Sequence, residues 1–266
     1  MPTFTGKKFS SYYKNLLGIN QATNAGTDST TRAVQDGAGN STAISLSDDQ
    51  LRVSPINDNT TGTMLVKNND GDNILAVDTT NSKVLIGASQ IPANINYVYF
   101  GVNASDSASL TANTHYPLPF QASAYSAAVL TTDFGTGTDP DDSFTTANTA
   151  TQYASQIVPM IWLLPLNITI SSVTSIEGAD NASGDTTRMH LKSFDFTSGS
   201  TSCLANGTLL AHNSDVTNAG NEQAYRSTWT IDSANVDADQ AILCFFRSDS
   251  VNSDYSITVN INYFVR

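Results

Sequence analysis

The sequence predicts an all-β protein: an extended N-terminal arm, a short stalk of β-hairpin repeats, and a C-terminal antiparallel β-sandwich. Three observations carry this expectation. Ser, Thr and Asn number 31, 33 and 25, a third of the 266 residues. Glutamate occurs twice, as Glu177 and Glu222, and lysine six times; long amphipathic helices draw on these residues, whereas Ser, Thr, Asn and Asp favour caps and turns. Apolar side chains also alternate with polar ones in short runs that end at Asp/Asn-Gly pairs, the mark of strands joined by tight turns.

Residues 1–32 form the arm. Phe9, Tyr12, Tyr13, Leu16, Leu17 and Ile19 crowd eleven positions, and a short helix over Ser10–Leu17 accommodates them. Such a cluster, flanked by polar sequence, cannot bury itself alone. It docks on the rest of its own chain or on another protein, and the second is favoured. Lys7, Lys8 and Lys14 lie in the first twenty residues with no acid among them.

Residues 33–90 contain an imperfect repeat. Val34, the Gly39-Asn40 turn, Ile44 and Leu46, a turn at Asp48-Asp49, then Leu51 and Val53 make one unit. Leu65, the Gly71 turn, Leu75 and Val77, a turn over Asp78–Ser82, then Val84 and Ile86 make the next. Each strand offers about two apolar side chains, and small isolated meanders are marginal in water. Two units also fall short of the three or so that a solenoid needs. The missing hydrophobic partner is expected from identical chains wrapped about a threefold axis. That gives a trimeric stalk with Val34, Ile44, Leu46, Leu51, Val53, Leu65, Leu75, Val77, Val84 and Ile86 in its core.

Residues 91–266 read as a strand-rich domain. Strands are expected at Tyr97–Val102, His115–Phe120, Gln156–Leu164, Asn167–Ile176, Arg188–Phe196, Thr208–His212, Ala224–Ile231, Ala241–Ser248 and Tyr255–Val265. The last alternates plainly, with Ile257, Val259, Ile261 and Tyr263 on one face. Long loops and the lack of an internal repeat favour a jelly roll over an immunoglobulin-like sandwich.

Charge and motifs narrow the functions. The formal net charge is −12, of which residues 97–266 hold −11; such a body repels phosphate, so nucleic acid is a poor partner. No apolar run approaches the roughly 20 residues of a membrane span, and the N-terminus lacks the apolar stretch of a signal peptide. Cys203 and Cys244 are expected as small buried thiols, with a single bridge as the lesser reading. No nucleotide-binding, serine-hydrolase or zinc-protease motif occurs, so the sequence points away from an enzyme and implies no cofactor. His115, His190 and His212 are scattered, each expected to be an ordinary hydrogen-bonded histidine. Asp133, Asp139, Asp141 and Asp142 offer a weak calcium loop, as does, less so, the Asn68–Asp72 turn, because calcium takes six to eight oxygens; such residues are also ordinary turn formers. Tyr97, Tyr99 and Phe100, or Tyr116 and Phe120, are candidate sugar platforms, with core or subunit-interface packing favoured over that role.

At Tyr13-Lys14-Asn15-Leu16-Leu17-Gly18-Ile19-Asn20-Gln21, Arg32-Ala33-Val34-Gln35-Asp36-Gly37 and Leu75-Ala76-Val77-Asp78-Thr79-Thr80-Asn81-Ser82-Lys83-Val84, the chain resembles virion structural proteins of tailed bacteriophages, especially marine and freshwater ones. The last segment is similar to the strand-turn-strand units of trimeric phage fibres. The resemblance implies a homotrimeric appendage of the virion, made in the host cytoplasm. It implies anchoring to capsid or tail protein through Phe9, Tyr12, Tyr13, Lys14, Leu16, Leu17 and Ile19. A head decoration or head fibre is favoured, a tail fibre binding host surface glycan or receptor through the sandwich is the alternative, and a polysaccharide-degrading appendage is a distant third.

Overall fold

In a computed structural model of the protein, the described residues are 13, 16–22, 26–87, 89, 91–93, 95–102, 110–121, 130–148, 151–180, 182–250 and 254–266. The chain divides into two compact units, Met1–Asn94 and Ile95–Arg266. This boundary falls four residues beyond the one the sequence suggests, because Ile91–Pro92 still pairs with the strand before it.

The first unit is two four-stranded antiparallel meanders. One comprises β1 (Leu17–Ile19), β2 (Arg32–Asp36), β3 (Ser41–Leu46) and β4 (Leu51–Val53). The other comprises β5 (Met64–Lys67), β6 (Asn73–Asp78), β7 (Lys83–Ile86) and β8 (Ile91–Pro92).

The repeat is chemical as well as topological. Asp36 Oδ1 accepts from the backbone N–H of Ala38 and of Asn40, both at 2.9 Å, while Asn40 Nδ2 donates to Asp36 Oδ2. In the second unit Asn68 Oδ1 accepts from the N–H of Asp70 and of Asp72, and Asn68 Nδ2 donates to Asp72 Oδ2. The acid and the amide have exchanged places. Gly39 and Gly71 occupy matching positions with φ of +88° and +93°, a region that glycine enters without steric cost.

The second unit is a sandwich. Its strands are β9 (Ile95–Val102), β10 (Tyr116–Pro117), β11 (Trp162–Leu163), β12 (Ile168–Asp180), β13 (Thr186–Phe196), β14 (Leu204–His212), β15 (Val216–Thr217), β16 (Gln223–Thr228), β17 (Thr230–Ile231), β18 (Asn235–Val236), β19 (Gln240–Ser248) and β20 (Asp254–Val265). One sheet runs β9-β20-β12-β16 with β18 added to β12. The other runs β10-β19-β13-β14-β17 with β11 on β19 and β15 on β13. Among the eight principal strands the chain changes sheet at every connection except the β13–β14 hairpin. That is the jelly-roll order.

Inward residues of both sheets meet in one core, including Phe100, Ile170, Val173, Met189, Leu191, Ile242, Cys244, Phe246, Val259 and Ile261. A bulge between Ile170 and Ser172 in β12 shifts the alternation so that Val173 still faces inward. A second core lies on the outer side of β19, where Ala241, Leu243, Phe245 and Phe194 are covered by Phe134, Phe144 and Ile157. The rings of Phe134 and Phe245 are 4.7 Å apart. Both cysteines are buried and free, and burial raises both thiol pKa values.

Three expected strands are corrected. Ala224–Ile231 is instead two strands in different sheets, β16 on β12 and β17 on β14, parted at Trp229, whose buried Nε1 donates to Ser175 Oγ at 2.9 Å. Gln156–Leu164 is instead a turn of α-helix α1 (Ala154–Ile157), a 3-10 turn at Val158–Met160, and β11. Pro159 has no N–H to give a sheet and fixes a helix-compatible φ, and Gln156 Oε1 accepts from Tyr153 N–H at 3.1 Å across the helix start. His115–Phe120 keeps only Tyr116–Pro117 in the ladder, since Pro117 and Pro119 lack donors.

Gly101 sets a test of the packing. A Cβ there would stand 2.6 Å from the carbonyl oxygen of Ile257 on the paired strand. Gly101→Ala is expected to destabilise the sandwich by about 1–3 kcal/mol, read as a lower urea midpoint with an unchanged slope.

Candidate functional site

In the first unit, Ala76 is the single buried apolar residue among those described. Yet the pairing register lines apolar side chains onto one face of each meander. In the first, Ile19 lies beside Val34, Ile44 beside Val53, and Leu46 beside Leu51. In the second, Met64 lies beside Val77, Val66 beside Leu75, Leu75 beside Ile86, and Val77 beside Val84. Ile44, Leu51, Met64, Val66, Val84 and Ile86 are each more than two-fifths exposed, and Leu51 reaches 65%. Val34, Leu46, Val53, Leu75 and Val77 are half-buried.

These faces collect nearly all the residues expected in the stalk core. Leu65 is the exception. It pairs with Ala76 and therefore sits on the opposite side of its sheet from Leu75 and Val77. Met64 and Val66, which the sequence reading passed over, take its place; the alternation between positions 64 and 66 was the available signal.

The arm residues divide. Phe9, Tyr12 and Lys14, and most of the expected helix over Ser10–Leu17, lie outside the described residues. Leu17 and Ile19 form β1 and join the first meander rather than a helix. Tyr13, Leu16, Leu17 and Ile19 line a depression of about 310 Å³ together with Gln35 and Asp36.

The calcium loop does not gather. Asp133 Oδ1 accepts from Gly135 N–H at 2.6 Å, Asp139 Oδ1 stands 3.3 Å from His190 Nε2, and Asp142 pairs with Lys192. The Asp141 carboxylate lies against Gly135. Four carboxylates with separate partners leave no shared oxygen cage, and no cluster of three metal-binding side chains occurs among the described residues. The Asn68 and Asp72 side chains close their own turn instead.

The histidines do gather, against expectation. His190 pairs across strands with His212, and its ring lies 5.0 Å from that of His115 and 6.4 Å from that of His212. All three histidines of the chain thus share one row on the outer side of the β10-β19-β13-β14 sheet. The Gly137 carbonyl accepts from His115 Nε2 and from Arg247 Nη1, both at 3.1 Å. His212 Nδ1 is 2.8 Å from Asp232 Oδ2. Burial, with His115, Arg188, His212 and Arg247 nearby, pushes His190 down to about 2. Burial likewise lowers His115 to about 4, against the Gly137 carbonyl. His190 is therefore neutral at pH 7. Its short approach to Asp139 lacks hydrogen-bond geometry and is not an ion pair there.

Between the sheets, Glu177 accepts from Thr187 Oγ1 at 2.8 and 2.9 Å. Desolvation raises its pKa to about 7 in spite of that bond. This is a buried acid inside a packed core rather than in a cleft.

Among the suggested sugar platforms, Phe100 and Tyr116 are buried and Phe120 packs partly against the core. Tyr97 is exposed and Tyr99 half-exposed.

No protein-family model matches the chain, and no curated protein matches it. Among solved structures it is similar to an aminopeptidase from a marine sediment archaeon, Thaumarchaeota archaeon, at 9% identity and a TM-score of 0.34. That likeness covers 73% of this chain and 41% of the other, so the chain spans less than half of that protein's length. A score this low carries no argument about fold or function.

The buried titratable groups give the sandwich a two-signed pH dependence. The unfolded histidines take up protons near 6.5, whereas the folded rings refuse them until about 4 and about 2; their share of the stability is present above 6.5 and is lost on acidification. Glu177 has the opposite sign. The folded state keeps a proton that the unfolded state releases near 4.5, so its contribution is full below 4.5 and lost as pH rises through about 7. Urea unfolding at about pH 5 and about pH 8 is expected to show Glu177→Gln gaining stability relative to the parent chain on the alkaline side, and His190→Gln flattening the loss on the acid side.

Proposed function

We propose that the chain is a non-enzymatic structural protein of a bacteriophage virion, assembled as a homotrimeric appendage on the capsid as a head decoration or head fibre. The observation that carries this reading is the first unit's uncovered apolar faces. With Ala76 as the one buried apolar residue among those described in both meanders, neither has the core that isolated β-structure requires. Identical neighbours supply one at no cost in new sequence.

Three chains suit the strands better than two. Face-to-face pairing of two sheets leaves the outer strands β1, β4, β5 and β8 with open edges, which are liable to adventitious pairing. Three twisted sheets about an axis lay each apolar face on two neighbours and bring every edge beside another chain's edge. Three copies of a net −12 chain also repel other particles and remain soluble.

The arm is assigned to anchoring. Tyr13, Leu16, Leu17 and Ile19 line one depression, and the resemblance drawn from residues 13–21 implies the same role.

Light scattering coupled to size exclusion is expected to give three times 28.3 kDa. A single-chain or two-chain mass refutes the trimer. Val77→Glu, which puts a charge on the shared face, is expected to shift the mass to one chain while the sandwich still melts as before. Deletion of residues 2–20 is expected to abolish incorporation into virions, and incorporation at the parental level removes the anchoring role.

A further inference from the structure

The outward face of the β9-β20-β12-β16 sheet has a chemistry that neither the fold nor the stalk requires. Val98, Phe100 and Val102 of β9 and Ile257, Val259 and Ile261 of β20 point into the core, so the alternating Tyr97, Tyr99, Thr258, Asn260 and Asn262 point out. Register then builds rows across the sheet. Tyr99 lies beside Asn260, Asn260 beside Thr174, and Thr174 beside Thr228. Three inter-strand steps of about 4.8 Å make that row about 14 Å long. The adjacent row sets Tyr97 beside Asn262 and Asn262 beside Ser172.

The two rows differ in how far they are occupied. Asn262 Nδ2 donates to Ser172 Oγ at 3.0 Å. The side chains of Asn260, Thr174 and Thr228 make no hydrogen bond to the described residues. Tyr97, at 73% exposure, is the most exposed large apolar side chain among those described. Further along the same strands, Gly178 pairs with Ala224 and with Ser256. These small residues line a depression of about 570 Å³ together with Gln223 and the carboxylates of Asp180, Glu222 and Asp254.

Partner classes can be separated by what this face lacks. A protein interface gathers its apolar residues at a dry centre, but Tyr97 and Ile176 are parted here by Asn and Thr rows. A polyanion finds only Arg226 beside Ile176, on a chain of net −12. A cationic partner finds no charge in either row, the carboxylates of Asp180, Glu222 and Asp254 standing apart around the depression. What fits is a neutral chain with apolar ring faces and many hydroxyls. Tyrosine offers a broad apolar face with a polar tip, and amide and hydroxyl groups both donate and accept.

We propose that this face binds a neutral polysaccharide, with Tyr97 and Tyr99 as stacking platforms and Asn260, Thr174 and Thr228 as the hydrogen-bonding row. The strand direction leads the chain from the tyrosines to the Gly178 depression. The site lies wholly within the second unit and does not depend on how many copies the stalk joins.

Affinity electrophoresis of the full chain through native gels cast with dextran, mannan, laminarin or hydroxyethylcellulose tests it. Retardation is expected in at least one gel. The Tyr97→Ala/Asn260→Ala pair is expected to weaken it at least about tenfold, or about 1.4 kcal/mol, with parental melting and parental mass by light scattering. Tyr97→Phe keeps the ring and is expected to retain binding. Free migration of the parent chain in all four gels overturns the proposal, as does retardation unchanged in the double variant. A mass below three chains with retardation intact would count against the trimer and leave this site standing.

Discussion

An apolar sheet face has to be covered, and the chain meets that constraint within one unit and leaves it unmet within the other. In the sandwich, β19 is apolar on both sides. Ile242, Cys244 and Phe246 pack against the opposing sheet, while Ala241, Leu243 and Phe245 pack beneath Phe134 and Phe144. A strand buried on both faces reads as a continuous apolar run, which is how residues 241–246 appear in the sequence. The meanders have the same kind of face without a cover. Their strands are two to six residues long, so each contributes only a few apolar groups. Adding one larger side chain would not create a core there, because no second layer exists to receive it.

Local chemistry sets the meander turns independently of that deficit. Asp36 with Asn40 and Asn68 with Asp72 close their turns through the same bonds with acid and amide interchanged. Either order satisfies the backbone donors and joins the two side chains. In the first turn the bond from Asn40 holds the Asp36 carboxyl below its usual range. Turn geometry therefore fixes the strand register, and the register fixes which residues share a face. The apolar faces follow from the turns, and the meanders' own described residues do not cover them.

Much of this was legible in the sequence, because period-two alternation and turn chemistry are local. The long strands β12, β13, β19 and β20 lie where the sequence reading puts them, β20 by its alternation and β19 by its apolar run, and the repeat appears with its turns in the expected positions. Gln156–Leu164 misled because its apolar content suits a strand or a buried helical turn equally, and periodicity cannot separate the two in so short a run; Pro159 was the deciding residue. Leu65 misled by one position, since a shift of one residue moves a side chain to the other face. The histidine row was invisible for a different reason. His115, His190 and His212 meet only through strand pairing and the path of the 130–148 segment, neither of which leaves a local trace.

That segment is part of the domain rather than an ornament on it. β13 turns polar side chains outward where its neighbour β19 is apolar, and Lys192 is buried among them. A buried ammonium is costly unless it is paired and hydrogen-bonded. The loop supplies both, through the Pro140 carbonyl at 2.6 Å and the Asp142 carboxylate. A few residues away the same loop lays Phe134 and Phe144 over Phe245, and Gly137 accepts from His115 and Arg247. Polar and apolar contacts thus hold one segment over one sheet face for two separate reasons. Removing it would expose the second core and strand the Lys192 charge together, so the sandwich needs the segment in place.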